Sequence, residues 1–212
     1  STTDSGSAFI FFGGITGTKN ADAGADVVLA GRDADSLGKT ADDIRALGRT
    51  AVTIQGDIGA PAECETICRQ VVEEHGPIDI LINNVGGRRI DIPTQEMPLE
   101  EWQSIIDLNL TSTFLCTKMI GGSMVERGSG GRVINIASIS GIVCNRDIGG
   151  RSYETSKAAV IQFTRAVASD WTAAGVTVNA ICPGGFMTEP NVIWAEKNPG
   201  IIGTFKDQIP AG

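Results

Sequence analysis

The sequence predicts an α/β fold: a single doubly wound parallel sheet with helices on both faces. Two features carry this expectation. Short Val- and Ile-rich runs alternate with longer amphipathic stretches, the pattern of a parallel sheet covered by helices on both faces. A third sets the scale, since 212 residues at 42% hydrophobic content close one sizeable core and not two. One domain over residues 1–212 is expected.

The strands are read in order as Ala8 to Phe12, Asp26 to Ala30, Thr50 to Gln55, Ile78 to Asn83, Arg132 to Ala137 and Val176 to Cys182. Most are rich in Val and Ile, as strands covered on both faces should be. Helices are predicted over Asp33 to Leu47, Ala60 to His75, Leu99 to Val125 and Ser152 to Ala174. Pro61, followed by acids, marks the start of the second. No internal repeat or low-complexity linker interrupts them.

Composition removes several function classes. A net charge of -8 without a Lys/Arg block offers little to a phosphate backbone, so nucleic acid is not an expected partner. No run approaches the ~20 apolar residues of a membrane span, and Ser1 to Ser7 lacks the basic start of a signal peptide. A cytoplasmic protein without membrane partners is expected. The five cysteines, Cys64, Cys68, Cys116, Cys144 and Cys182, are odd in number and scattered, the pattern of reduced thiols. Cys64 and Cys68 share a helical face, but zinc needs further ligands and the one histidine, His75, reads as a helix end; no metal is expected. The same lone His75 leaves a Ser-His-Asp hydrolase without a base.

In such sheets ligands sit beyond the carboxyl ends of the strands. After the first strand, Gly13 and Gly17 lie in a glycine-rich turn, Phe12 to Lys19, whose backbone N–H groups suit a pyrophosphate; a plain tight turn is the ordinary alternative. After the second comes Arg32, placed for a ribose 2′-phosphate, with Asp33 beside it for a 2′-hydroxyl and a solvated loop as the bland reading. The third strand closes on Gly56-Asp57-Ile58 and the fourth on Asn83-Asn84-Val85-Gly86-Gly87, each a polar group followed by residues small or flat enough to lie along an adenosine. The vicinal amides also suit a structural role at the strand end.

Tyr153 and Lys157 stand one helical turn apart on a shared face, and Tyr153 is the only tyrosine. A phenol with a pKa near ~10 is a poor base at neutral pH, and a cation beside it favours the phenolate. The same phenol donates its proton in the reverse direction, while Ser138 is suited to hydrogen-bond the reacting oxygen. A surface Tyr/Lys pair is the ordinary reading of an isolated match.

Taken together, these residues resemble the short-chain dehydrogenases/reductases, from Ala8 to Gly212. Asn83-Asn84-Val85-Gly86 is similar to the family's Asn-Asn-Ala-Gly motif, Asn135-Ile136-Ala137-Ser138 to its serine strand, and Tyr153 with Lys157 to its Tyr-x-x-x-Lys signature. The resemblance implies a Rossmann-type fold that transfers hydride between NADP(H), preferred through Arg32, or NAD(H), and a secondary alcohol or ketone. It implies Asn109, Ser138, Tyr153 and Lys157 as catalytic residues, with Asn109 holding a water in a relay to Lys157. Cofactor contacts are implied at Gly13, Gly17, Arg32, Asp57, Ile58, Asn83, Val85, Gly86, Tyr153, Lys157, Pro183, Gly184 and Thr188.

The sequence departs from the family pattern in the glycine-rich turn, where Phe12 and Lys19 replace a threonine and a glycine. The stretch between the first two strands is short for a full crossover helix. The family continues beyond Gly212 into another helix and a last strand. The first crossover helix and the C-terminal strand are therefore expected to be missing from the chain as written.

The chain resembles gluconate 5-dehydrogenase-like and 3-oxoacyl reductase-like members; the polar loop at Asn145 to Asp147 and the Arg88-Arg89 pair, which gluconate 5-dehydrogenase-like members share, suggest a polyol, sugar or sugar acid as substrate. Arg88, Asn145, Arg146 and Trp194 are its candidate contacts, the last in a variable lid over about 186–205; solvated polar loops are the alternative reading of the first three. Homo-oligomers, tetramer or dimer, are implied through the two long helices. A non-catalytic nucleotide-sensing or scaffold protein is the alternative suggested by the altered glycine turn. A cofactor-free lyase or dehalogenase of similar fold usually replaces the lysine with arginine, so Lys157 speaks against it.

Overall fold

A computed structural model describes residues 8–12, 24–87, 90–145, 149–186 and 189–207. Among them, six parallel strands form one sheet: β1 (Ala8–Phe12), β2 (Asp26–Gly31), β3 (Ala51–Gln55), β4 (Ile80–Asn83), β5 (Gly131–Ile136) and β6 (Val176–Ile181). Their order is β3-β2-β1-β4-β5-β6. β1 pairs with β2 from Ala8↔Asp26 and with β4 from Phe9↔Ile80, so the winding reverses at β1 and opens a crevice at the carboxyl edge.

Among the described residues the sheet is accompanied by the helices α1 (Ala34–Ala46), α2 (Pro61–His75), α3 over residues 99–127, α4 (Arg151–Trp171), α5 (Glu189–Lys197) and α6 (Ile201–Asp207). Asp33 caps α1 by accepting from the N–H groups of Asp35 and Ser36, and Pro61 opens α2 where no amide donor is needed. α3 is one rod interrupted by two π turns, Asp107–Thr111 and Thr117–Gly121, and Gly128 at φ 69° ends it. It runs past the expected Val125 because the Arg127 guanidinium is tied down, donating to the Ile78 and Gly130 carbonyls and to Asp79. At the other boundaries, Thr50 donates its N–H to the Asp26 carboxylate and its carbonyl accepts from Val27 N, just before β3 begins. Ile78 is buried just before β4, and the end of the expected last long helix is a 3-10 turn, Thr172–Ala174.

β2 shows why the runs are continuous and not alternating. Val28 and Ala30 point into the cluster under α2 and α3, with Ile67, Val71, Leu81, Leu115 and Ile120, whereas Val27 and Leu29 pack on the other face against Ala41 and Ile44 of α1. Both faces are dry, and each fully buried aliphatic of this size contributes about 1.5–3 kcal/mol. A third cluster, Ala137, Val160 and Ile161, seats α4 on β5.

Cys116 of α3 joins Cys64 and Cys68 of α2 inside the first cluster, with sulfur separations of 3.6 and 3.7 Å. The sequence reading had paired only the last two. Burial pushes the Cys116 thiol up, so it stays neutral and packs as a small apolar group. No described helix is long and apolar enough to cross a membrane. The short first crossover and the region after α6 lie outside the described residues; among those described, β6 is a sheet edge.

Candidate active site

The carboxyl edge of β5 carries Ser138 in extended backbone, φ -166°, at the head of a 3-10 turn, Ile139–Gly141. Its Oγ accepts from Ser140 N at 3.1 Å. The β5/β6 ladder continues past the strands, with Ala137 N donating to Ile181 O and Ile139 N to Pro183 O. Those bonds hold Pro183 beside the serine turn.

α4 begins after Gly150, whose φ of 83° suits glycine, and projects Tyr153 and Lys157 from successive turns. Lys157 Nζ lies 5.9 Å from the centre of the Tyr153 ring and donates to Ile136 O at 2.8 Å, so the ammonium bridges α4 and the end of β5. It is 4% exposed. Burial depresses its pKa from 10.5 to about 8, weakly opposed by Cys182. Gly141 lets the serine turn press on α4: a Cβ there would stand 2.6 Å from the Lys157 carbonyl carbon.

Asn109 sits in the first π turn of α3, fully buried. Its Oδ1 accepts from Gly87 N at 2.8 Å, and its Nδ2 donates to Gly87 O at 3.1 Å and Ile105 O at 2.9 Å. The loop after β4 is thereby clamped to α3. Gly86 fills the space between the two: its missing Cβ would lie 2.8 Å from both Asn109 Oδ1 and Lys157 Nζ.

The remaining strand ends line up along the crevice. Arg32 extends a guanidinium that is 74% exposed, 3.9 Å from Asp57 Oδ2, while Asp33 is occupied in capping α1. Asp57 Oδ1 accepts from Gly59 N at 2.8 Å. Ile58 is in the core at 1% exposure, behind the edge that Asp57 occupies. Val85 is half-buried against the same core. Asn83 turns inward as well: its Nδ2 donates to Thr117 Oγ1 at 3.0 Å and Asn135 Oδ1 at 2.8 Å, and Asn135 donates onward to Thr164. That polar ladder crosses from α3 to α4 through β4 and β5, the structural half of the two roles open to the vicinal amides.

Residues 12–198 match the family model described as short chain dehydrogenase. The chain belongs to the short-chain dehydrogenase family. Among its relatives, a 3-oxoacyl-(acyl-carrier-protein) reductase of Synechocystis is 40% identical over 147 residues, 69% of this chain but 58% of that protein. The L-tagatose-forming galactitol 2-dehydrogenase of Cereibacter sphaeroides is 34% identical over 90% of this chain and 72% of its own length. A crystal structure from Beutenbergia cavernae, described as an NAD(P)-dependent gluconate 5-dehydrogenase with bound NADP, superposes with a TM-score of 0.81 at 27% identity, covering 94% of this chain and 80% of that one. The first of these matches spans less than two thirds of the relative's length.

Within this short-chain dehydrogenase, Asn109, Ser138, Tyr153, Lys157 and Gly86 gather at one end of the sheet, flanked by Pro183 and the exposed Gly184. Gly13, Gly17, Arg88, Arg146 and Thr188 lie outside the described residues, and Trp194 falls on α5. Asn145 is 7% exposed with its amide turned inward: Nδ2 donates to Ser140 Oγ at 3.0 Å and to Glu154 Oε1 at 2.9 Å. Sequence reasoning passed over Glu154. Burial tends to raise its pKa, but the main-chain and side-chain N–H groups of Asn145 and the Arg151 guanidinium outweigh that and hold it below the ordinary carboxylate value. The only local signal was an acid directly after Tyr153 in the first turn of a helix.

Proposed function

We propose that this chain is an NAD(P)-dependent oxidoreductase acting on a secondary alcohol or its ketone, with NADP(H) preferred over NAD(H). The observation that supports it most is the placement of Ser138, Tyr153, Lys157 and Asn109 at the carboxyl edge, with Lys157 and Asn109 against Gly86. The relatives named above favour a polyol, sugar or sugar acid as substrate, with a 3-oxoacyl ketone as the neighbouring class.

The residues present fit a dinucleotide. An ammonium carries three donors and Ile136 takes one from Lys157, which leaves donors for a ribose beside the side-chain-free Gly86. Arg32, 3.9 Å from Asp57, offers an exposed cation for a 2′-phosphate, while Asp33 engages its Oδ1 in the cap of α1. Asp57, Val85, Pro183 and Gly184 complete the described edge, with Ile58 buried behind it and Gly13, Gly17 and Thr188 assigned by sequence. When bound, the nicotinamide supplies or accepts the hydride.

Tyr153 is the acid/base: its hydroxyl gives a proton to the ketone oxygen in reduction and takes one from the alcohol in oxidation. Lys157 holds its ammonium one helical turn from the phenol, with Nζ 5.9 Å from the centre of the Tyr153 ring. Ser138 accepts from Ser140 N and still has its own proton to donate to the reacting oxygen. Asn109 holds the Gly87 loop, and through it the Gly86 gap next to Lys157. Arg88, Arg146 and Trp194 remain the assigned substrate contacts, with α5 and α6 as the lid. A homo-oligomer built on the exposed faces of α3 and α4, where Phe114 meets Phe163 edge-on, and a reducing cytoplasmic setting belong to the same reading.

Parallel calorimetric titration with NADPH and NADH, followed by turnover assays on ketones, polyols and sugar acids, tests the proposal. Tight NADPH binding with turnover is expected. Binding of neither nucleotide at millimolar concentration would overturn it in favour of the scaffold reading.

A further inference from the structure

We infer that Glu154 is a positioning residue for Ser138, acting through Asn145 and Ser140 to hold the serine hydroxyl in register with Tyr153. The inference rests on the reaction proposed above and names a residue outside the catalytic set.

Three consecutive links, made of four hydrogen bonds, carry it. Glu154 Oε1 accepts from both Asn145 N at 3.0 Å and Asn145 Nδ2 at 2.9 Å. The same Nδ2 donates to Ser140 Oγ at 3.0 Å. Ser140 N in turn donates to Ser138 Oγ at 3.1 Å. All four residues are 7–8% exposed, so water does little to substitute for these bonds.

Burying a carboxylate is costly, and an acid that served only to pair with Arg151 could do so at the surface. Glu154 does pair with Arg151, through Oε2 to a guanidinium that is 44% exposed, but its other oxygen faces inward and takes both N–H groups of Asn145. Arg151 also donates to Asn145 O at 3.2 Å, closing the segment from a second side. Glu154 follows Tyr153 on a rigid helix, so whatever it fixes is fixed relative to the phenol. The second fastening is Gly141, packed directly on the Lys157 main chain. The segment from Ser138 to Asn145 is thus pinned to α4 at both Lys157 and Glu154, with Ser138 at its head.

The test compares Glu154→Gln and Asn145→Ala, each alone and combined with Ser138→Ala, in kcat, in KM for cofactor and by crystallography. The glutamine keeps one acceptor but turns an amide toward Arg151. Each single variant is expected to lose about tenfold to a hundredfold in kcat with the cofactor KM unchanged, the scale of a displaced catalytic group. In the Ser138→Ala background the further loss should be no more than about twofold, because the group being positioned is gone. Equal losses in both backgrounds, or none in either, would overturn the inference; if Glu154→Gln does not fold, Asn145→Ala makes the same comparison. Crystal structures of the variants decide independently of turnover: a displaced Ser138 Oγ supports the inference, and a Ser138 unmoved overturns it. A wild-type protein that reduces no ketone would instead mark failure of the proposed reaction.

Discussion

A Cβ on Gly86 would stand 2.8 Å from Lys157 Nζ, closer than real Cβ contacts come. The same Cβ would stand 2.8 Å from Asn109 Oδ1, so Gly86→Ala should push the ammonium away from Tyr153 and also strain the Asn109 clamp on Gly87. Turnover is expected to fall roughly tenfold or more, with a lowered melting temperature. Both are measured on one preparation, and unchanged turnover would separate Gly86 from the site.

Tyr153→Phe removes the proton donor and retains the ring. Turnover should fall by about 10²–10⁴ while calorimetry gives the wild-type NADPH affinity. Near-normal turnover would remove the proposed mechanism.

Lys157 gives a pH signature. Its folded pKa, about 8, lies below the ordinary 10.5, so below pH 8 the charged side chain is buried at a cost. As pH rises from about 8 toward 10.5, the unfolded chain binds the proton better and wild-type stability gains. Relative to Lys157→Met, the wild type should gain up to about 3 kcal/mol across that window. Urea unfolding of both proteins at several pH values reads the difference, and a pH-independent gap would contradict it.

Arg32→Ala should weaken NADPH by about tenfold to a hundredfold, the worth of a charge-assisted hydrogen bond, and leave NADH unchanged. Equal loss for both nucleotides would take the 2′-phosphate away from Arg32.

Asn109→Leu strips partners from both the N–H and the carbonyl of Gly87. Unfolding free energy should drop by about 1–3 kcal/mol in urea titration, with turnover falling in parallel as the Gly86 loop loosens.

The strands were legible because burial on both faces writes itself as uninterrupted Val, Ile and Leu, as β2 shows. Tyr153 and Lys157 were legible because helical geometry alone puts residues one turn apart on the same side. Ile58 and Asn83 were harder. Their places after β3 and β4 follow from the strand pattern, but the inward turn of each side chain depends on what the neighbouring strands and α3 offer it, a core in one case and the Thr117 and Asn135 side chains in the other.

The chain's sequence by itself determined the α/β class, the strand ends where chemistry gathers and the Tyr153/Lys157 pair, since each depends on residues within a few positions of one another. Tertiary structure alone decided that Cys116 meets Cys64 across 52 positions, that Asn109 grips Gly87 and that Glu154 reaches Ser138 through Asn145. Those contacts arise only when separate elements pack. Their geometry comes from close packing and buried hydrogen bonding, which no local spacing encodes.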